Sequence, residues 1–488
     1  MFDRKNIILK KLFEGSKSYL NTEINVCGWI DTFREQQKNG LAFISLNDGS
    51  TLKSLQIILN PSDENDISKL DNIYQRATKG VCINVFGKII ESPAKGQDIE
   101  LICSSIKIYG DVDGSIYPIP KNKLKLEHIR QYPHLRIRTK TIAAIARIRN
   151  SCSNATHEFF QNHDFNYVHT PILTGNDCEG AGETFTVENK LGEDLFFGKP
   201  TSLTVSGQLH GETYACGLSN IYTFGPTFRA EDSHTTRHLS EFWMIEPEMC
   251  FIDFKDLIDI SEDYLKYCIS YCLEKNREEI EFFNKHYDNS LLESLQSIVE
   301  KTFVRMTYKE VIESINTDII DGKVIIRDPN MENKKFKKIA KGKHIFEGPI
   351  NTTDKLLPPK YDLDSEHEKY MTSKINGPLI ITDFPKDIKS FYMKDNDDNF
   401  SVQAMDILVP NIGEIIGGSM REDNYEILEK KMADKNIDIP WYLDLRKYGS
   451  APHGGFGLGF ERLIMLVTGV YNIKDIIPYP RFPKHCDM

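Results

Sequence analysis

The chain contains no run of about 18 apolar residues, the length a helix needs to cross a bilayer, so no membrane-spanning helix is expected. Its ten cysteines include no CxxC pair. That argues against a structural zinc site and fits reduced thiols in the cytosol. Cys268 and Cys272 lie one helical turn apart with no further ligand nearby, and read as helix packing. No GxxxxGK[ST] string occurs, so a nucleotide used by this chain is not held by a P-loop. The opening MFDRKNIILKKLFEG lacks an apolar signal core and is poor in serine and arginine. It reads as a first helix rather than a targeting peptide, and a cytoplasmic location is expected. Basic excess is missing too: 60 Lys/Arg stand against 71 Asp/Glu, a net charge of −11. Attraction to a polyanion would have to come from a local patch.

What is present describes a large globular protein. The 488 residues, 40% apolar and 27% charged, favour two or three domains with ample core. The first hundred or so residues read as five short strands, INVCGWID, LAFISLND, LQIIL, VCINVFGKII and IELICSSIKIYG, separated by Gly, Asn, Asp and Ser signals. Such spacing suggests a small closed barrel of the OB type over 1–115, with a helix between Asp66 and Arg76. Pro118 and Pro120 mark the exit from the barrel into a linker, 116–138. From Lys121 to Arg149 there are nine Lys/Arg and one acid, Glu127, a candidate RNA-contacting stretch. Residues 139–488 read as one α/β block, helical over about 255–308. A basic segment at about 316–362, centred on MENKKFKKIAKGK, looks inserted and is expected at the surface.

Two distant stretches of that block carry the chemistry. In FRAEDSHTTRHLSEF, Phe228 to Phe242, strand alternation sends Arg229 and Glu231 to one face. An arginine there can bind a phosphate bidentately, and the returning Phe242 offers a platform for a purine. In GLGFERL, Gly457 to Leu463, glycines permit close approach of backbone to a ligand before Arg462 opens an apolar helix. Two arginines, a carboxylate and a stacking ring suit adenylate chemistry. A third string, MDILVPNIGEIIGGSMRE, places Asp406 and Glu414 on adjacent strand-like runs joined by a Pro-Asn-Ile-Gly turn. Oxygen ligands beside a polyphosphate select Mg²⁺ over zinc.

The first two stretches resemble motifs 2 and 3 of the class II aminoacyl-tRNA synthetases. HEFFQNHDFNYVHTP, ending on Pro171 behind Ile142, Ile145, Ile148 and Cys152 at helical spacing, resembles motif 1. The resemblance covers nearly the whole chain. It narrows to the aspartyl/asparaginyl/lysyl subgroup, and there to the asparaginyl branch of bacterial type. It implies an α+β fold, an OB-type barrel followed by a catalytic domain on a mainly antiparallel sheet flanked by helices. Motif 1 implies a homodimer.

The implied reaction is ATP-dependent ligation of L-asparagine to tRNA(Asn) through an asparaginyl-adenylate, with Mg²⁺. By resemblance, Arg229 clamps the attacking carboxylate and the α-phosphate, and Phe242 and Arg462 sandwich adenine. Arg462 and His238 hold the γ-phosphate, Glu231 contacts ATP, and Asp406 and Glu414 hold the metal. Glu179 of EGAGE and Gln208 of SGQLH bind the substrate ammonium, and Arg421 the side-chain carbonyl. Gly211, where aspartyl enzymes have lysine, and Glu246, where they have aspartate, are the expected discriminators. Phe43, Gln56 and Glu100 match the positions that read the middle anticodon base. A non-discriminating aspartyl-tRNA synthetase, an asparagine synthetase on the same catalytic domain and a non-catalytic RNA-binding protein remain as alternatives.

Overall fold

The computed structural model describes every residue except 1–5, 37, 39, 63–67, 95, 120–124, 176–183, 189, 192–193, 234, 327–343 and 347–355. It divides into two compact units, Met1–Arg147 and Ile148–Asp487, apart from Met488, which groups with the first. The division falls inside α2 (Lys140–Asn162); α1 (Leu9–Glu14) lies near the start of the chain.

In the first unit five strands close into a barrel: β1 (Glu23–Glu35), β2 (Ala42–Asn47), β3 (Leu55–Leu59), β4 (Cys82–Glu91) and β5 (Ile99–Gly110), in the order β1-β2-β3-β5-β4. Strict alternation in β2 and β3 sends Ala42, Ile44, Leu46, Leu55, Ile57 and Leu59 into one core and leaves Phe43 and Gln56 outside. Each strand expected from the sequence is there. Of the helix expected between Asp66 and Arg76, residues 66–67 lie outside the described residues, Ser68 is helical, and a separate short helix spans Ile73–Arg76 after left-handed backbone at Asp71 and Asn72.

The second unit is built on an eight-stranded sheet. Its strands are β6 (Asn166–Tyr167), β7 (Asn220–Phe228), β8 (Glu241–Cys250), β9 (Val304–Thr307), β10 (Leu379–Pro385), β11 (Ser401–Val409), β12 (Gly413–Met420) and β13 (His453–Gly459). They run in the order β9-β10-β11-β12-β13-β8-β7-β6. The two end pairs, β9–β10 and β7–β6, are parallel, and every pair between them is antiparallel. The helices that matter here are α3 (Gln208–Leu218), α4 (Phe254–Lys275), α5 (Arg277–His286), α6 (Leu291–Glu300), α7 (Tyr308–Ile320), α8 (Ser365–Ile375), α9 (Tyr425–Asp434), α10 (Pro440–Lys447) and α11 (Phe460–Thr468).

Two capping boxes set helix starts: Asp253 with Asp256 opens α4, and Thr307 with Glu310 opens α7. The expected helical region at 255–308 is thus three helices, α4 to α6, ending at strand β9. α7 runs to Ile320, and Ile319 and the buried Val324 pack in the same core as Val311, Ile312 and Ile315, so folded core continues past the expected start of the insertion. Its basic heart lies outside the described residues. Among the described residues no helix is long and apolar enough to cross a membrane.

Candidate active site

β7 and β8 are the two antiparallel strands of the Arg229–Phe242 stretch, with Thr227 opposite Phe242. Arg229 N donates to Ser240 O at 3.0 Å, extending the ladder past Phe228. The Arg229 guanidinium carbon sits 5.4 Å from the Phe242 ring centroid. Glu231 and His238 face each other, Oε2 to Nε2, at 3.8 Å, and Ser233 and Thr235 hold His238 Nδ1 at 2.9 and 2.6 Å. Arg462, in the first turn of α11, donates from Nη1 to Glu414 O at 2.7 Å and lies 3.3 Å from its Oε2. The preceding Glu461 is buried, pairs with Arg149 at 2.7 Å and accepts from Trp243 N at 2.9 Å. That tie fixes α11 against β8 and brings Arg462 to the strand pair.

Asp406 and Glu414 stand on neighbouring strands, β11 and β12. A Cβ built on Gly417 would lie 2.9 Å from Glu414 Oε1 and 3.3 Å from Asp406 Oδ1. The two carboxylates therefore converge over a glycine, and both line one cavity. This all-oxygen pair fits a hard divalent cation better than a thiolate- or imidazole-seeking one. Desolvation raises Asp406 to about 6, with Glu414 adding to the shift and Lys389 opposing it. In Glu414 desolvation is outweighed by Arg462 and Lys389, and the group lies below its ordinary value. Lys389 Nζ reaches Asp406 at 2.8 and 3.2 Å.

The cavity encloses about 570 Å³ and brings together Gln208, Arg229, Glu246, Asp406, Glu414 and Arg421 from six separate places in the chain. Glu246 is buried and accepts from Ser206 Oγ, from Gly207 N at 3.0 and 3.2 Å and from Thr223 Oγ1 at 3.1 Å. Gly211 does not line the cavity. It sits on the sheet side of α3, where a Cβ would lie 3.2 Å from Ile221 Cδ1 and 3.7 Å from Glu248 Cγ. Glu179 lies outside the described residues.

Sequence reasoning missed Glu248, which lines the pocket with Arg421, and the charged group next to it. Arg421 donates from Nε to Glu248 Oε2 at 3.2 Å and from Nη2 to Oε1, a bidentate pair with 3% and 1% of the side chains exposed. Burial raises Glu248 to about 7, against the pull of Arg421. Burial would lower Arg421, but Glu248 and Glu212 more than offset it, and its charge is secure. Glu212 in turn accepts from Tyr442 Oη at 2.7 and 2.9 Å, from Arg446 Nη2 at 3.1 Å and pairs with His453 Nε2 at 3.0 Å. Gln208 Nε2 donates to it at 3.1 Å. The one available signal was the spacing Glu246-Pro-Glu248, which puts both acids on the same face of β8. Nothing local marked Glu212, Arg446 or His453.

On the barrel, Gln56 and Glu100 are register partners of β3 and β5, and Gln56 Nε2 donates to Glu100 Oε1 at 3.1 Å. Ser92 and Gln97 donate to the same oxygen at 2.7 and 3.0 Å. Phe43, half-buried on the outer face, carries the Arg34 guanidinium 5.2 Å from its ring centroid. The outer face of the barrel thus carries the Phe43 ring and the Gln56 amide, with the buried Glu100 carboxylate against that amide; a ring can stack on a base and an amide can hydrogen-bond its edge.

Similarity to known proteins extends over both units. The family described as tRNA synthetases class II (D, K and N) matches residues 125–483, and the OB-fold nucleic acid binding domain matches 24–109. The chain is similar to the asparagine–tRNA ligase of Protochlamydia amoebophila, 45% identical over 96% of this chain and 97% of that one. It is also similar to that of Borreliella burgdorferi, 45% identical over 96% of each. Among solved structures, the asparaginyl-tRNA synthetase of Pyrococcus horikoshii complexed with asparaginyl-adenylate superposes with a TM-score of 0.80 at 28% identity, covering all of both chains.

Proposed function

Because the chain belongs to the class II tRNA synthetases of the D, K and N group, we propose that it ligates L-asparagine to tRNA(Asn). ATP drives the reaction through an asparaginyl-adenylate, releasing AMP and pyrophosphate. The observation that carries asparagine over aspartate is the state of Arg421. Its charge is already matched by bidentate Glu248, and Glu246 adds a second acid to the same pocket. A pocket so balanced accepts a neutral amide and repels a side-chain carboxylate. ATP–pyrophosphate exchange with asparagine and with aspartate, followed by charging of tRNA, tests the proposal. Exchange restricted to asparagine supports it, and exchange with aspartate, or none, rejects it.

The substrate carboxylate attacks the α-phosphorus and pyrophosphate leaves; the tRNA terminal ribose then displaces AMP. No protein nucleophile is needed. The chain contributes in-line positioning and stabilisation of charge developing at phosphorus. In this scheme Arg229 bridges the attacking carboxylate and the α-phosphate, with Phe242 stacked on adenine opposite Arg462. His238 and Arg462 take the γ-phosphate, and Glu231 contacts the nucleotide. Asp406 and Glu414 would hold Mg²⁺, which when bound supplies positive charge to the polyphosphate. Gln208 and Glu179 orient the ammonium, Arg421 the side-chain carbonyl and Glu246 the amide NH₂. Phe43 stacks on the middle anticodon base while Gln56 and Glu100 hydrogen-bond it. The basic 121–149 stretch contacts the tRNA backbone, and the enzyme acts in the cytoplasm.

Gly211 and Glu246 are the proposed discriminators. A lysine at 211 would run along Glu248, compete with Arg421 for it and leave a net positive charge in the pocket. Gly211→Lys with Glu246→Asp is expected to move the asparagine-to-aspartate preference by about tenfold or more toward aspartate. Exchange rates with both amino acids measure it, and folded double mutant with an unchanged ratio refutes the assignment.

The proposed homodimer uses the end of α2, β6 and the run past Pro171. Tyr167, Ile172 and Leu173 are exposed there at 39, 42 and 44%, an apolar face suited to a two-fold contact. Sedimentation equilibrium is expected to give the dimer mass; a fully active monomer at assay concentration overturns this.

A further inference from the structure

Glu212, in the second turn of α3, has no part in the chemistry above and does not line the cavity, yet it is fully buried. Its two oxygens face different neighbours. Oε2 takes Arg446 Nη2 at 3.1 Å, His453 Nε2 at 3.0 Å and Tyr442 Oη at 2.7 Å. Oε1 accepts from Gln208 Nε2 at 3.1 Å and from Tyr442 Oη at 2.9 Å, and lies 3.8 Å from Arg421 Nε. One oxygen is thus anchored in the interior, and the other is turned toward two residues that do line the cavity, Gln208 and Arg421.

A carboxylate so placed stays ionised. Burial would raise Glu212, but Arg446 and His453 outweigh it and hold the group well below the ordinary carboxylate range. An ionised carboxylate has acceptors and no donor, so Gln208 can meet it only with its NH₂. The reversed amide would set a carbonyl oxygen against a buried anion and forfeit the bond. Gln208 opens α3 and Glu212 lies one turn on, the i,i+4 spacing at which two such side chains meet. The helix start is itself held, with Gln208 N donating to Ser206 Oγ at 3.1 Å. With Nε2 committed to Glu212, the planar amide leaves Oε1 for the cavity. That oxygen is an acceptor only, which suits an ammonium and disfavours an anion.

We infer that Glu212 is a positioning residue for the substrate ammonium: it fixes the Gln208 amide so that Oε1 faces the pocket, and acts without touching the substrate. The inference rests on the reading proposed above, in which the pocket takes asparagine and Gln208 meets its ammonium. Arg446 and His453 then serve the ammonium end at one remove, by keeping Glu212 charged and in place. The α-amino group of the ligand is therefore the discriminating variable.

The test compares asparagine with succinamate, the same skeleton without its α-amino group, on the full-length protein and on Glu212→Gln, Glu212→Asp and Gln208→Met. Pyrophosphate exchange gives KM for asparagine and for ATP, and competition in the same assay gives the affinity for succinamate. Glu212→Gln should raise KM for asparagine by about tenfold, the loss expected when one charge-assisted contact is no longer aimed, and leave succinamate and ATP within about twofold. Glu212→Asp keeps the charge for Arg446 and His453 but draws the acceptor back by one methylene, so it should show a smaller loss of the same kind. It decides the matter if Glu212→Gln does not fold. Gln208→Met should show the same selective loss, and adding Glu212→Gln to it should bring no further selective loss, because the two act as one unit. Equal weakening of asparagine and succinamate would mean that Glu212 only shapes the pocket, and an unchanged KM for asparagine would mean that the amide keeps its orientation without it. Either overturns the inference. If Gln208→Met itself leaves KM for asparagine unchanged, or the wild-type protein gives no exchange with asparagine, the pocket reading has failed and the inference falls with it.

Discussion

Arg229→Ala is expected to lower asparagine-dependent pyrophosphate exchange by two or more orders of magnitude while tRNA binding stays within about twofold. The size follows from where the guanidinium acts. A donor aimed at charge that appears only at the pentacovalent phosphorus stabilises the transition state more than the bound substrate, and removing one such group costs about 10²–10³ in rate. Arg229 is held for that task by the ladder bond to Ser240 and by its place over Phe242. Its loss should therefore fall mainly on kcat. The proposed anticodon contacts, Phe43, Gln56 and Glu100, belong to the other compact unit. Filter binding of tRNA and the exchange assay on the same preparation check both halves. Near-normal exchange would show that the strand pair has been misread.

Arg421→Ala should cost the protein both its substrate and much of its stability. Glu248 is left buried without its bidentate partner, and removing one member of a buried pair typically destabilises by about 3–5 kcal/mol. Glu212 keeps Arg446 and His453, so the damage should centre on Glu248. Urea unfolding should show a lower midpoint with an unchanged slope. Adding Glu248→Gln to Arg421→Met removes both charges at once. The double variant should recover most of the stability, yet asparagine-dependent exchange should stay about 100-fold down because the amide has lost its carbonyl donor. If Arg421→Ala unfolds at the wild-type midpoint, the pair is not an ion pair of the kind described. If the double variant regains exchange, Arg421 does not bind the substrate.

Local signals carried much of this molecule. Period-two alternation in AFISLN and LQIIL fixed which side chains enter the barrel core, because a strand must turn successive residues to opposite faces. That rule stops short of Arg229 and Glu231, which lie past the end of β7, whereas turn chemistry between Val409 and Gly413 put Asp406 and Glu414 on neighbouring strands. The break before Ile73 was not foreseen because left-handed backbone at Asp71 and Asn72 is imposed by tertiary fit, and Asp and Asn only permit it. The expected insertion begins inside α7, whose apolar side is legible only from β10, a packing partner more than fifty residues away.

By itself, then, the sequence determined the two-part organisation, the strands and the arginines and acids on which adenylate chemistry is proposed to rest, since each is written in short-range patterns of hydrophobicity, glycine and charge. Only the tertiary structure decided how the amino-acid pocket is electrically balanced. Arg421 and Glu248 are 173 positions apart, and Glu212 lies 234 and 241 positions from Arg446 and His453. They meet because β13, the last strand in the chain, inserts between β12 and β8, and because Gly455, lacking a side chain, leaves the space that Glu248 fills. Alternation tells a residue which way to face; the order in which distant strands pair determines what it faces.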